Sequence, residues 1–262
     1  MTSEWQALVD DLEAESAVVL SAIEQIDDEA WDRASPAEGW TLRDCVVHLA
    51  ETDESATAGV TGEKLQRDGR REGVLTAGML RGRTMASEDV REWYRASNAK
   101  LVAALRALNG DERIAWVGRP MSARSYTTAR LMEHWSHGLD ILEAAGVPAV
   151  DSDRLRHIAL LGHITRDFAY RTHGLEPPAT PLYVELTAPS GATWRFGPPD
   201  APDRIYGSAG DFCRVVTQRI HPDDTDLRCE GPRAREFLSI AQAFAGPPGA
   251  GRPRRSEVEG VE

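Results

Sequence analysis

Hydrophobic residues recur every three or four positions from Ser3 to Ile26, at Trp5, Leu8, Leu12, Val19, Ile23 and Ile26. This spacing predicts a long helix with one buried stripe, which Thr2 or Ser3 can cap with a short hydroxyl side chain. Asp27 to Trp40 holds Pro36 and Gly39 and reads as a loop. A second helix is expected from Leu42, because Thr41 and Asp44 have the spacing of a capping box. It carries His48 at the inner edge of its buried stripe, near Cys45, Leu49 and Thr52. Ser55 to Ser87 is rich in Gly, Thr and Arg and weakly periodic, so it reads as a loop with a short helix around Val74 to Arg83. Ser87 can cap a third long helix with Val90, Tyr94, Leu101, Leu105 and Leu108 inward, ended by Asn109-Gly110. Asp111 to Arg124, with Trp116, Gly118 and Pro120, reads as a connection. Ser125 or Thr127 then opens a fourth long helix that ends near Gly146-Val147-Pro148. Four long helices make a bundle, and sites in bundles form between facing helices.

Beyond Pro148 the pattern changes. Asp153 to His173 reads as one helix with Leu155, Ile158, Leu161, Ile164 and Phe168 inward. Leu182 to Thr187 alternates at period two, as a half-buried strand does, and Thr193 to Phe196 and Arg204 to Tyr206 add two more strands. Ser208 and Asp211 open a helix, a strand lies near Leu227 to Cys229, and a last helix runs from Arg233 to Phe244. The expected class is α+β: a four-helix bundle over residues 1–150 and a smaller α+β domain over 151–246. The Pro- and Gly-rich, then charged, tail 247–262 has little to pack and is expected to be disordered.

The stretch Arg130 to Asp140, Arg-Leu-Met-Glu-His-Trp-Ser-His-Gly-Leu-Asp, brings in candidate chemistry. As a helix it puts Glu133, His137 and Asp140 on one face, with Arg130 one turn earlier and Leu131, Trp135, Leu139 and Leu142 opposite. A carboxylate and an imidazole at i, i+4 can both reach one ion, and in a bundle His48 can face them from the second helix. The same residues also describe a solvated helix face laced by Arg-Glu and Glu-His pairs. Trp40 and Trp135 can line a pocket or simply fill the core. His157, His163, His173 and His221 have no partner at metal-ligand spacing.

Composition narrows the classes. The chain has 262 residues, 41% of them hydrophobic, with a formal net charge of −12. Broad nucleic-acid binding needs clustered Lys and Arg, and the short basic runs Arg81 to Arg83 and Arg252 to Arg255 are outweighed. No run approaches the roughly 20 apolar residues of a membrane span, and the N-terminus lacks the order of a signal peptide, so a cytoplasmic protein without a membrane partner is expected. Cys45, Cys213 and Cys229 are widely spaced and in no CxxC pair, which argues against a disulfide framework or a thiolate metal knuckle. Any metal would rest on His and carboxylate.

Three pieces together resemble a known family: Gly39-Trp40-Thr41 with Arg43-Asp44 and His48-Leu49-Ala50; Arg130, Glu133, His137 and Asp140; and the mixed domain carrying Arg219 and Gly231. The chain, to about residue 245, looks like the mycothiol-dependent maleylpyruvate isomerase family of actinobacteria, whose N-terminal bundle belongs to the DinB-like metal-binding superfamily. The resemblance implies three metal ligands at His48, Glu133 and His137, an acidic residue at Asp140 that orients a ligand, and a functional Arg at Arg219 that holds a substrate carboxylate. His134 is an alternative to Glu133 and would give an all-His site; Glu133 lies closer to the His137 face. Arg81-Gly-Arg83 is a further candidate source of a substrate-binding Arg. Two imidazoles and one carboxylate leave a divalent ion, expected to be Zn2+, with an open position that lowers the pKa of a bound water or thiol. In the resembled enzymes a cofactor thiol adds to an activated double bond, the bond rotates and the thiol leaves. The expected function is therefore an isomerase or S-transferase using mycothiol on a small electrophile, as monomer or homodimer. A non-catalytic metal-binding accessory protein and a metal-assisted hydrolase are the alternatives.

Overall fold

The N-terminal apolar stripe forms helix α1 (Glu4–Glu24), capped by Ser3, whose side chain accepts from the Gln6 N–H. The structure is a computed structural model that describes residues 3–63, 74–115, 120–249 and 251–258. Thr2, residues 64–73 of the Gly- and Arg-rich stretch, Trp116 and Gly118 of the connection and residues 259–262 of the tail lie outside the described residues. Helix α2 (Leu42–Thr61) starts with the full capping box of Thr41 and Asp44. It runs on where a loop from Ser55 was expected, because the hydroxyls of Thr57 and Thr61 bond back to the carbonyls of Asp53 and Thr57 and do not compete with the helix. Gly62, at φ 78°, ends it in the left-handed conformation that glycine adopts without strain.

A short helix α3 (Ala77–Gly82) and the long α4 (Ser87–Arg106) follow. Ser87 is not the cap of α4; that position is Ala86, and Ser87 is buried as the first helical residue. Strands β1 (Arg113–Ile114) and β2 (Met121–Ser122) pair antiparallel where only a connection was expected. Helix α5 (Ala123–Ala145) begins earlier than Ser125, because Ser122 accepts from the Ser125 N–H and is itself the cap. Helix α2 packs on α4 and α5, and α1 packs on the same two, so the four long helices enclose one core. Its members include Ile23, Trp31, Trp40, Leu49, Tyr94 and Ile141. The Arg43 and Arg91 guanidinium carbons lie 5.4 Å and 5.0 Å from the Trp31 ring centroid, a cation–π arrangement that ties the start of α2 to α4.

The chain divides into two compact units, Met1–Ala149 and Val150–Glu262. In the second, the expected single helix over 153–173 is two, α6 (Leu155–Ile164) and α7 (Arg166–Thr172). The break falls at β-branched Thr165, whose hydroxyl donates back to the Leu161 carbonyl. Strands β3 (Leu182–Thr187), β4 (Thr193–Phe196), β5 (Asp203–Ser208) and β6 (Arg228–Glu230) form one sheet in the order β4-β3-β5-β6. The central pair β3 and β5 is parallel and the outer pairs are antiparallel. Helix α8 (Ala209–Val216) is capped by Ser208, and α9 (Pro232–Ile240) starts on a proline and stops short of Phe244. In the tail, Arg254 contacts Asp223 and a single turn, α10 (Arg255–Val258), follows. The chain is of the α+β class. Among the described residues no helix is long and apolar enough to cross a membrane.

Candidate metal centre

Helices α2 and α5 pack together, and the i, i+4 spacing on α5 turns Glu133 and His137 toward His48 on α2. Glu133 Oε2 lies 3.6 Å from His48 Nε2 and 3.7 Å from His137 Nε2. One ligand atom from each of the three residues falls within 4.8 Å of the others. A tetrahedral ion with bonds of about 2.0–2.1 Å separates neighbouring ligand atoms by roughly 3.3 Å, so small movements of these side chains would close the set around one cation. Both imidazoles are buried, while 26% of the Glu133 side chain is exposed, so the trio meets solvent on the carboxylate's side.

Two further contacts fix the imidazoles. His137 Nδ1 lies 3.1 Å from Asp140 Oδ2, one turn along the same helix. This contact holds the His137 ring against its own helix, with Nε2 on the side of Glu133. The Trp40 ring stands 5.0 Å from His48 and 5.6 Å from His137, nearly parallel to the latter at 27°. It forms a wall behind both donors. Cys45 approaches the other side of His137, within 4.8 Å of it and of Asp140, and its thiol reaches Ser35 Oγ at 3.3 Å. That trio is wholly buried and backs the imidazole.

Burial pushes His48 down to about 4, against the opposing hydrogen bond that its ring donates to the Glu133 carboxylate. Burial also opposes the Glu133 charge, but the His48 hydrogen bond and the His137 and Arg130 charges hold that carboxyl well below the usual range. The site therefore presents neutral His48 beside an anionic Glu133 at neutral pH, the protonation a cation needs. With its pKa lowered from 6.5 to about 4, His48 favours the folded chain above pH 6.5, and that contribution is lost as pH falls through this window. The loss in the metal-free chain is expected to be about 3 kcal/mol. Thermal denaturation across the window checks it: a His48→Phe chain should show a flatter profile, and equal slopes would refute the assignment.

His134, the alternative ligand, faces away from this trio. Its Nε2 lies 3.0 Å from Asp53 Oδ1 and its Nδ1 3.0 Å from the Tyr94 hydroxyl. Burial alone would raise the Asp53 carboxyl, but His134 and Arg130 hold it at about 2. Arg83 grips Asp44 at 3.0 Å and 2.6 Å, and Arg81 lies over the Trp93 ring, so that basic segment is tied to the bundle. Arg219 follows α8 in the second unit, half-buried, with Nη1 donating to the Thr217 carbonyl at 2.8 Å. Sequence reasoning missed Asp53 although a signal was present. Leu42, Val46, Leu49, Asp53 and Ala56 share one stripe of α2, so an acid occupies a core position.

The family model described as the mycothiol maleylpyruvate isomerase N-terminal domain matches residues 12–142. Two proteins described as uncharacterized, from Mycobacterium tuberculosis strains CDC 1551 / Oshkosh and ATCC 25618 / H37Rv, are each 42% identical over 255 residues, covering 93% of this chain and 97% of the relative. A crystal structure of a mycothiol-dependent maleylpyruvate isomerase superposes with a TM-score of 0.60 at 17% identity, covering 95% of this chain and 99% of that one. A histidine-to-alanine mutant of such an isomerase superposes with a TM-score of 0.57 at 16% identity over the same shares.

Proposed function

Because this chain belongs, through its N-terminal domain, to the mycothiol maleylpyruvate isomerase family, we propose that it is a thiol-dependent isomerase or S-transferase that uses mycothiol on a small electrophile. One observation supports this most: His48 from α2 and Glu133 and His137 from α5 meet in a buried, solvent-edged cluster within that domain. These three residues would hold a divalent metal, in our reading Zn2+, whose open position supplies the acidity that keeps a bound thiol as thiolate near neutral pH.

The chain's own residues do the rest. Asp140 keeps the His137 proton on Nδ1 and thereby leaves Nε2 as the donor. Trp40 covers the back of both imidazoles and excludes water from that side. Arg219 is assigned the substrate carboxylate, which a planar guanidinium binds through two parallel hydrogen bonds.

The test is a measurement of bound metal in the purified chain, followed by calorimetric titration of mycothiol with and without a chelator. Mycothiol binding is expected to be present in the metal-loaded chain and lost after chelation, with turnover of maleylpyruvate or a related electrophile in the loaded form only. Metal without thiol affinity would instead favour the accessory or hydrolytic role.

A further inference from the structure

We propose that Asp53 is the positioning residue of this centre: through His134 and Arg130 it sets the rotation of α5 about its own axis, and so decides that Glu133 and not its neighbour faces His48. The inference rests on the metal reading above. Asp53 and His134 are fully buried and Arg130 is 4% exposed. Asp53 Oδ1 accepts from His134 Nε2 at 3.0 Å and from Arg130 Nη2 at 2.8 Å, and Oδ2 accepts from Asn98 Nδ2 at 3.1 Å. Arg130 Nη2 also donates to Thr52 Oγ1 at 2.9 Å. The Tyr94 hydroxyl lies 3.0 Å from His134 Nδ1 and 3.2 Å from the Ser16 carbonyl, and Asn98 Nδ2 reaches Ser16 Oγ at 2.9 Å. At this level α5 is joined by polar contacts to α2 and α4 directly and, through Tyr94, to α1.

Glu133 and His134 are adjacent, so about 100° of helix rotation separates them and only one can face α2 at the height of His48. An imidazole there would complete a three-nitrogen set as acceptable to zinc as the mixed one, so the ion does not make the choice. The Asp53 cluster does. Turning α5 to bring His134 round would break the Asp53–Arg130 and Asp53–His134 contacts, leaving a buried guanidinium without its carboxylate and the carboxylate with Asn98 alone, which is costly in an interior of low polarity. On α2 Asp53 lies beyond His48 and on α5 Arg130 lies before His137, so the cluster and the metal trio are successive contacts of one antiparallel helix pair. Arg130, which the sequence placed in the motif without a role, and His134, which it offered as an alternative ligand, acquire a structural one here.

The experiment uses the full-length chain and its Asp53→Ala and Asp53→Asn variants, each confirmed folded by circular dichroism at the working temperature. Co2+ and Zn2+ affinities are measured by chelator competition, with the Co2+ visible spectrum as the report of the ligand set. Asp53→Ala is expected to weaken metal binding by roughly 10–100-fold, the range for groups that orient ligands from behind, and to change the Co2+ spectrum. Asp53→Asn, whose amide oxygen can still accept from His134, should recover part of the affinity and the native spectrum. Unchanged affinity and spectrum in both variants, beside a loading wild type, would overturn this inference alone. No metal uptake by the wild type would overturn the metal reading together with it.

Discussion

Replacing His48 with alanine is expected to abolish stoichiometric metal binding and, with it, affinity for mycothiol. His48 is the sole donor that α2 contributes to the His48, Glu133 and His137 cluster, and the other two both come from α5. Its loss leaves a carboxylate and one imidazole, which is too few for a tight divalent site. The fall in zinc affinity should exceed the roughly 10–100-fold that follows removal of an outer partner, the size expected for Asp140→Asn. Chelator competition on the two variants side by side checks the ranking. Equal losses, or a His48→Ala chain that still carries one ion per molecule, would place the metal elsewhere.

The second large effect concerns stability. Arg130→Met removes the cation that lies 2.8 Å from Asp53 Oδ1 and leaves that fully buried carboxylate facing His134 and Asn98 alone. Breaking one side of a buried pair is expected to cost about 3–5 kcal/mol, a fall in melting temperature of roughly 6–20 °C for a chain of this size. Replacing the group together, Asp53→Leu with Arg130→Met and His134→Leu, should cost less than Arg130→Met alone, because no charge is then left unanswered in the interior. Calorimetry on both chains decides it. A single-variant loss below about 1 kcal/mol, the level of a surface pair, would mean that water reaches the cluster.

Much of the fold was legible because its signals are local. The capping box of Thr41 and Asp44, the stripe Trp5 to Ile26 and the alternation of Leu182 to Thr187 each state an element within one short window, and each appears as read. The candidate trio was half local: Glu133 and His137 declare themselves by spacing, whereas His48 was joined to them by supposing a bundle and by the family resemblance. The rest depended on partners distant in the chain or on fine competition within it. Two-residue strands such as Arg113–Ile114 are too short to carry a period, and Thr165 breaks a helix that hydrophobic spacing alone would continue. The direction of His134 needed Asp53, Tyr94 and Ser16, contributed by three other helices.

The indole of Trp40 against both imidazoles, and the carboxylate of Asp140 on the far edge of His137, have an implication for how the centre fills. Before any ion binds, Glu133 Oε2 already lies 3.6 Å and 3.7 Å from the two imidazole nitrogens, and all three candidate donor atoms lie within 4.8 Å of one another. Loading of the proposed centre would then ask for no folding step, in contrast to small zinc modules that collapse only around their ion. On the proposed reading, the architecture would stand before loading and the ion would meet a site built in advance.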